Sequence, residues 1–243
     1  MMKCKTSDTQ INYKSGCALC GEDLFYNDIG ETQSCSICGQ SSITNIICKE
    51  GHYVCDKCHT EKGKIAVNKV CKNSISINPL NIVTEIMSHS EVNMHRPEHH
   101  YIVACALVTA YCNASKKGDS SEDYLREVIM RGEKVPGGTC GFWGVCGASI
   151  SAGIFVSTIM NVTPLSVKNY GIPSILTADI SKQIADVGGP RCCKRNSYLA
   201  IIKSVERIDQ LTGIKLEVDD QISCEFNQLN EECITARCPF WKK

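Results

Sequence analysis

Cysteine and histidine carry the chemistry open to this sequence, and they fall into two patterns. The first is a set of tight pairs. Cys17-Ala-Leu-Cys20-Gly21 and Cys35-Ser-Ile-Cys38-Gly39 are C-x2-C knuckles, each closed by a glycine. A knuckle presents two thiolates to one ion, and the glycine permits the tight turn that aims backbone amides at sulfur. A further set follows: Cys48-Lys-Glu-Gly-His52-Tyr-Val-Cys55-Asp-Lys-Cys58-His59. Cys17, Cys20, Cys35, Cys38, Cys48, His52, Cys55 and Cys58 are ligands enough for two tetrahedral ions, expected to be zinc, with rubredoxin-like iron as the competing metal. Their pairing stays open. A ribbon joins Cys17, Cys20, Cys35 and Cys38 on one ion and Cys48, His52, Cys55 and Cys58 on the other. A cross-brace instead joins Cys35 and Cys38 with Cys55 and Cys58. Cys71 or His59 can replace His52 in either. Cys4 has no partner in spacing.

The second pattern is sparse. Gly138-Thr-Cys140-Gly-Phe-Trp-Gly-Val-Cys146-Gly147, Gly188-Gly-Pro-Arg191-Cys192-Cys193-Lys-Arg195, and Cys224, Cys233 and Cys238-Pro239 set single thiols among glycine and proline. Such backbone wraps a bulky cluster and offers amides to its sulfurs. An iron–sulfur cluster, [4Fe-4S] in preference, is expected on Cys192 or Cys193 with Cys224, Cys233 and Cys238. Cys140 and Cys146 either join it or form a second site. Zinc and metal-free reactive thiols are the competing assignments. Vicinal cysteines seldom both serve one closed site, so one of Cys192 and Cys193 is left as a candidate nucleophile. Arg191, Lys194 and Arg195 beside them would lower a thiol pKa and attract an anion.

His95-Arg-Pro97-Glu98-His99-His100 matches the H-x-x-E-H string of inverted zinc proteases. Pro97 speaks against that chemistry, because it belongs at the first position of a helix and leaves His95 outside. The expected roles are anion binding or proton transfer by Glu98, His99 and His100 at a helix start. At least one of His95, His99 and His100 should face the C-terminal cysteines.

These residues need elements to hold them. Residues 1–15 read as a loose tail, 16–72 as a Cys/His module with too few large apolar residues for a core, and Lys72 to Asn78 as a linker. Residues 78–243 read as an all-helical domain. Asn78-Pro79 starts a helix carrying Ile82, Val83, Ile86 and Met87 at helical spacing. A second helix is expected from Pro97 to about Asn113, apolar all round and therefore central, with Cys105 and Cys112 as core residues. Others are expected at Ser121–Met130, with a Ser cap, then Ala148–Met160, 173–187 and 194–211, with a short strand at Ile214–Val218. The fold class is thus mainly α, with a small zinc-ribbon or RING-like N-terminal module.

Formal net charge is zero and pI is about 6.9. That disfavours a protein held to nucleic acid by phosphate neutralisation. The N-terminus lacks a signal-peptide pattern, and the apolar run Tyr101–Tyr111 is too short to span a bilayer. A cytoplasmic chain is expected, where so many thiols serve metals in preference to disulfides.

Cys48, Gly51-His52 and Cys55-x2-Cys58 resemble the middle of a RING finger, but the closing C-x2-C is missing, which argues against a ubiquitin ligase. Over nearly the whole chain, CALCGEDLFY, GHYVCDKCH, MHRPEHH, CGFWGVCGASISAGIF, GGPRCCKRNSYLAI and NEECITARCPF resemble an uncharacterised Cys-rich family. It is known as domain of unknown function 5714, common in methanogens and anaerobic bacteria and often fused to SAM-dependent methyltransferases. The resemblance implies no established activity. GVCGA and PRCCKRN are similar in style to the helical domains of iron–sulfur serine dehydratases and cysteine desulfidases. That similarity implies a cluster with an open iron. The expected function is a metalloprotein with structural zinc and a C-terminal iron–sulfur or thiol site, doing lyase-like or sulfur-transfer chemistry on a small anion. In it Cys192 or Cys193 attacks or ligates, Arg191 and Arg195 bind the anion, and His99 or His100 moves protons. The alternative is a non-enzymatic accessory protein whose zinc module docks a methyltransferase or a cofactor-assembly partner.

Overall fold

The polar, cysteine-rich start of the chain folds as a hairpin. A computed structural model describes residues 16–116, 121–219 and 221–242, so Cys4 and the expected tail lie outside the described residues. Strand β1 (Leu24–Ser34) pairs antiparallel with β2 (Ser41–Cys48). Leu24 stands opposite Cys48 and Ser34 opposite Ser41, with an irregularity between Tyr26 and Glu31. Most hairpin side chains are exposed, and the buried cluster beside them is only Cys35, Val54 and Cys55. A two-stranded hairpin with so little to bury does not hold itself together. Its cysteines sit where it needs fixing: Cys17 and Cys20 before β1, Cys35 and Cys38 in the turn, Cys48 at the end of β2.

Helix α1 (Asp56–Asn73) leaves the module directly from Cys55. Its second half buries Ala66, Val67, Val70 and Cys71 in the main core. Cys71 is therefore a core residue beside Cys105 and is not held in reserve for metal. The expected linker is pinned as well, because Asn113 Nδ2 donates to the carbonyls of Ser74 and Ser76 at 3.0 and 2.9 Å.

The rest is helical. Helix α2 (Pro79–Ser88) has the expected start: Asn78 Oδ1 accepts from the Leu80 amide at 2.9 Å, and proline follows the cap. Helix α3 (His99–Ser115) is buried without a break from His99 to Cys112. Around it stand α2, α4 (Ser121–Gly132), α6 (Gly147–Ile159) and α8 (Cys193–Thr212), while α7 (Ile172–Val187) packs on α6 and α8. A short α5 (Thr139–Phe142) precedes α6. The small residues of α6 permit close approach. Ser151 Oγ accepts from the Ala104 amide at 2.9 Å, and Gly153 lies against Thr177. Cys105 and Cys112 are core, as expected.

The mainly helical fold expected from the sequence is present, with eight α-helices among the described residues after the hairpin. Three details differ. Helix α3 begins at His99, two residues after Pro97, because residues 96–98 form a turn whose carbonyls take the amides of His99, His100 and Tyr101. Ile214–Val218 is not a strand, since the backbone bond it makes is from the Glu217 amide to the Ile77 carbonyl and no neighbour strand is there to pair. The position that would cap α4 lies outside the described residues. No helix among the described residues is long and apolar enough to cross a membrane.

Candidate metal centres and the cleft between them

The hairpin brings its ligands together in alternation along the chain. Cys17, Cys20, Cys48 and His52 form one group and Cys35, Cys38, Cys55 and Cys58 the other, each with its ligand atoms within 4.8 Å of one another. This is the cross-brace; the ribbon pairing is not what the fold makes. Zn–S bonds of about 2.3 Å in a tetrahedron put sulfurs roughly 3.8 Å apart. The measured edges are Cys20 to Cys48 at 3.5 Å, Cys38 to Cys55 at 3.8 Å and Cys17 to His52 Nδ1 at 3.8 Å. Both groups therefore fit a single ion. Backbone amides already face the sulfurs, from Leu19 to Cys17 at 3.4 Å, Glu50 to Cys48 at 3.3 Å and Cys55 to Cys35 at 3.3 Å. Burial raises the Cys17 and Cys35 thiols, yet these amide bonds outweigh it and bring each down to about 6. Such groups are ready to lose their protons to a metal. His59 is not a ligand; it is buried against Arg96, and burial with that guanidinium lowers it to about 4.

A second convergence lies at the far end of the chain. Cys192, Cys224, Cys233 and Cys238 line one pocket together with Arg195, and Phe226, Phe240 and Trp241 cover it. Cys192 caps α8, and its sulfur accepts from the Arg195 amide at 3.4 Å. Cys224 accepts from the Phe226 amide and Cys233 from the Thr235 amide, each at 3.4 Å. The Cys224 amide donates to the Phe240 carbonyl at 2.7 Å, which closes the tail on itself. These four cysteines line a common small cavity, and their sulfurs are not gathered within 4.8 Å as those of the N-terminal groups are. Burial first, and then their mutual repulsion, pushes Cys192 up, and Cys224 up to about 11.

Between the hairpin and the helical domain is a cleft of about 230 Å3. Cys17, Cys48 and His52 stand on one wall; His95, His100, Arg96, Arg191, Cys140 and Cys193 stand on the other. The vicinal pair is thus divided: Cys192 faces the four-thiol pocket and Cys193 the cleft. His95 joins them. Its Nδ1 accepts from the Cys193 amide at 3.5 Å. Its Nε2 faces Asn230 Oδ1 at 2.9 Å and Glu232 Oε2 at 3.2 Å, so the proton is on Nε2. Asn230 Nδ2 in turn donates to Cys192 Sγ at 3.6 Å. Arg191 bonds Glu232 at 3.4 Å and lies 5.6 Å over the ring of Tyr26, reaching from the helical domain to the hairpin. Asp56 accepts from the Gly137 amide at 2.8 Å and closes the third side.

The other expected site residues lie elsewhere. Glu98 and His99 are sealed in the interior, off the cleft. His99 Nδ1 donates to the Arg96 carbonyl at 3.1 Å, and burial lowers its pKa far below the usual imidazole value. Arg195 is buried and holds the carbonyls of Gly188 and Pro190 at 2.9 and 3.2 Å. It borders the four-thiol pocket and not the cleft. His95, by contrast, meets the cysteine pair. Asn230, Glu232 and Arg96 join the site with no motif in the sequence to mark them. Arg96 lies inside the histidine string and Asn230 two residues from Glu232 in the last cysteine segment, but a single polar residue in a loop carries no spacing signal.

The comparisons with known proteins agree with one resemblance. Residues 67–241 match the model of DUF5714, a family of unknown function. The chain belongs to this family. No curated protein and no solved structure matches it. The DUF5714 region takes in the second half of α1, all later helices, the four-thiol pocket and the cleft wall that bears His95, Arg191, Cys140 and Cys193. The hairpin and its two candidate metal groups lie outside it.

Proposed function

We propose that this DUF5714 protein is a metalloprotein with two structural zinc ions and an iron–sulfur cluster, and that its cleft takes a small anion. The zinc ions would occupy Cys17, Cys20, Cys48 and His52, and Cys35, Cys38, Cys55 and Cys58. The cluster, of [4Fe-4S] type, would be held by Cys192, Cys224, Cys233 and Cys238. The observation that carries this reading is the division of the vicinal cysteines. One thiol joins three others that line a common cavity without closing to the spacing of the N-terminal groups, with amides on the sulfurs of Cys192, Cys224 and Cys233 as cluster sites have. Its neighbour faces a cleft with Arg96, Arg191, His95 and His100. A cluster supplies electrons or a Lewis-acidic iron; the chain's own groups do the rest. Arg191 and Arg96 bind the anion's charge. The Nε2 proton of His95, shared with Asn230 and Glu232, is the one placed to move. The chemistry this supports is lyase-like or sulfur transfer.

Anaerobic purification followed by iron, zinc and acid-labile sulfide analysis and electron paramagnetic resonance tests it. Iron and sulfide that fall in Cys224→Ser, with loss of the resonance signal of this cluster, are expected. Zinc alone after reconstitution with ferrous iron and sulfide removes the cluster. A second reading has its own support: Phe25, Ile29 and Ile43 stand exposed on the hairpin, as a module that docks a partner such as a methyltransferase would have them.

A further inference from the structure

Apart from the core thiols Cys71, Cys105 and Cys112, three thiols among the described residues lie outside the N-terminal groups and the four-thiol pocket, and they come from three different elements. Cys140 lies in α5, Cys146 caps α6, and Cys193 opens α8. Cys140 and Cys193 both line the cleft. Cys146 is beside them: the Val145 amide bonds the Thr139 carbonyl at 3.3 Å, which turns the chain back toward Cys140, and the Cys146 sulfur takes its hydrogen bond from Asn196, three residues after Cys193 on α8. The Cys146 sulfur has a donor in place: Asn196 Nδ2 reaches it at 3.3 Å. Metal binding would take the proton from that buried thiol, and the bond would then be charge-assisted.

An imidazole stands against the same site. His100 Nδ1 lies 2.8 Å from the Val135 carbonyl. A carbonyl only accepts, so the proton is on Nδ1 and Nε2 keeps its lone pair. A metal-binding histidine has this arrangement, with its second nitrogen held by a backbone oxygen. The ring packs on Gly147, next in sequence to Cys146, so closely that any side chain there would strike it. His100 also reaches the cleft.

We propose that Cys140, Cys146 and Cys193 form a further thiolate centre for a thiophilic metal, with His100 beside it and one coordination position open to the cleft. The inference does not depend on the cluster at Cys192, since it uses none of the same sulfurs. It gives the anion a metal to bind as well as Arg191 and Arg96. The three sulfurs are not gathered within 4.8 Å; a polynuclear cluster would bridge wider sulfurs, and a single ion would draw them in. Both share thiolate–metal chemistry, and the probes separate them.

The test uses the full chain with the four-thiol pocket disabled by Cys224→Ser and Cys238→Ser. Under anaerobic conditions it is loaded either with ferrous iron and sulfide or with cobalt(II) alone. Iodoacetamide labelling of Cys140, an exposed thiol, is then followed by mass mapping. The expected result is metal beyond the two N-terminal ions and labelling of Cys140 slowed roughly tenfold or more by it. Adding Cys140→Ser should abolish the extra metal. Retention of iron with sulfide identifies a cluster; cobalt bound with thiolate charge-transfer absorption, and no iron, identifies a single ion. Unchanged Cys140 labelling with both probes, together with metal content indifferent to Cys140→Ser, overturns the proposal. If the double variant does not fold, Cys140→Ser in the otherwise natural chain serves. That position is exposed, and its metal content should fall below that of the parent while the signal from the four-thiol cluster persists.

Discussion

Glu98 is fully buried, and one of its carboxylate oxygens has no hydrogen-bond partner. The other accepts from the Asn93 amide at 3.0 Å. Burial pushes the carboxyl up to about 7, against the pull of Arg96 and Lys194. The unfolded chain releases this proton near 4.5 and the folded chain near 7. Between those values the native state holds a proton that the unfolded state has lost, so stability falls as pH rises through the window and the effect is constant above it. The histidines act oppositely, because desolvation of the half-buried His59 and His95 and of the buried His99 and His100 makes them resist protonation on the acid side. Comparing the parent with Glu98→Gln isolates the carboxyl. Denaturation at pH 5 and pH 7.5 should show the glutamine variant gaining on the parent as pH rises, by at most about 3 kcal/mol. A gap that does not change with pH would contradict this.

Single residues also show what spacing can and cannot reveal. Every N-terminal ligand is readable from its neighbours, since a knuckle is a local motif. Which knuckle serves which ion is not, because that depends on where the hairpin turns. Cys35 and Cys38 sit in that turn and are carried away from Cys17 and Cys20. Asn230 is invisible for the same reason, as its value lies in contacts with His95 and Cys192 more than thirty residues away. Asn230→Ala should cost about 1 kcal/mol in thermal unfolding and, where the cluster is loaded, change its resonance signal. A purely structural asparagine would do only the first.

Among the elements, α8 matters most to the proposed chemistry, since the residue that caps it and the residue that opens it face different cavities. Its entry is fixed by Arg195, whose guanidinium spans the carbonyls of Gly188 and Pro190. Lysine cannot reproduce that fork. Arg195→Lys should destabilise by about 1.5–3 kcal/mol in denaturant melts and loosen both sulfurs together, which iron content would register. The helices themselves are largely legible. The Asn78-Pro79 start, the all-apolar α3 and the Gly/Ala/Ser face of α6 each state their burial in local composition. Helix α1 is not, because its start coincides with Cys55 and Cys58. Its buried stripe in the main core is only Ala66, Val67, Val70 and Cys71, in a helix otherwise rich in lysine. The strands are hidden further, since β1 reads as a polar segment with no alternation. A hairpin fixed by metal, as these two ligand groups would allow, needs little hydrophobic pattern.

That division sets how the whole molecule should respond to losing metal. The main core draws nothing from residues 16–55; its members run from Ala66 to Phe240. The hydrophobic cluster of the hairpin module holds only Cys35, Val54 and Cys55, and its ties to the helical domain include Arg191 over Tyr26. Structural zinc in the two ligand groups, as proposed above, would supply folding energy directly. Removing it with a chelator under reducing conditions should therefore melt one part and spare the other. Amide exchange in 16–55 should rise to that of an unfolded chain while α3 stays protected, and far-UV circular dichroism should change little. The cleft would lose the wall that bears Cys17, Cys48 and His52, so an anion bound there should be released in step with zinc. If α3 loses protection at the same chelator concentration, the hairpin and the helical domain are one cooperative unit, and the metals hold the whole fold and not just its cover.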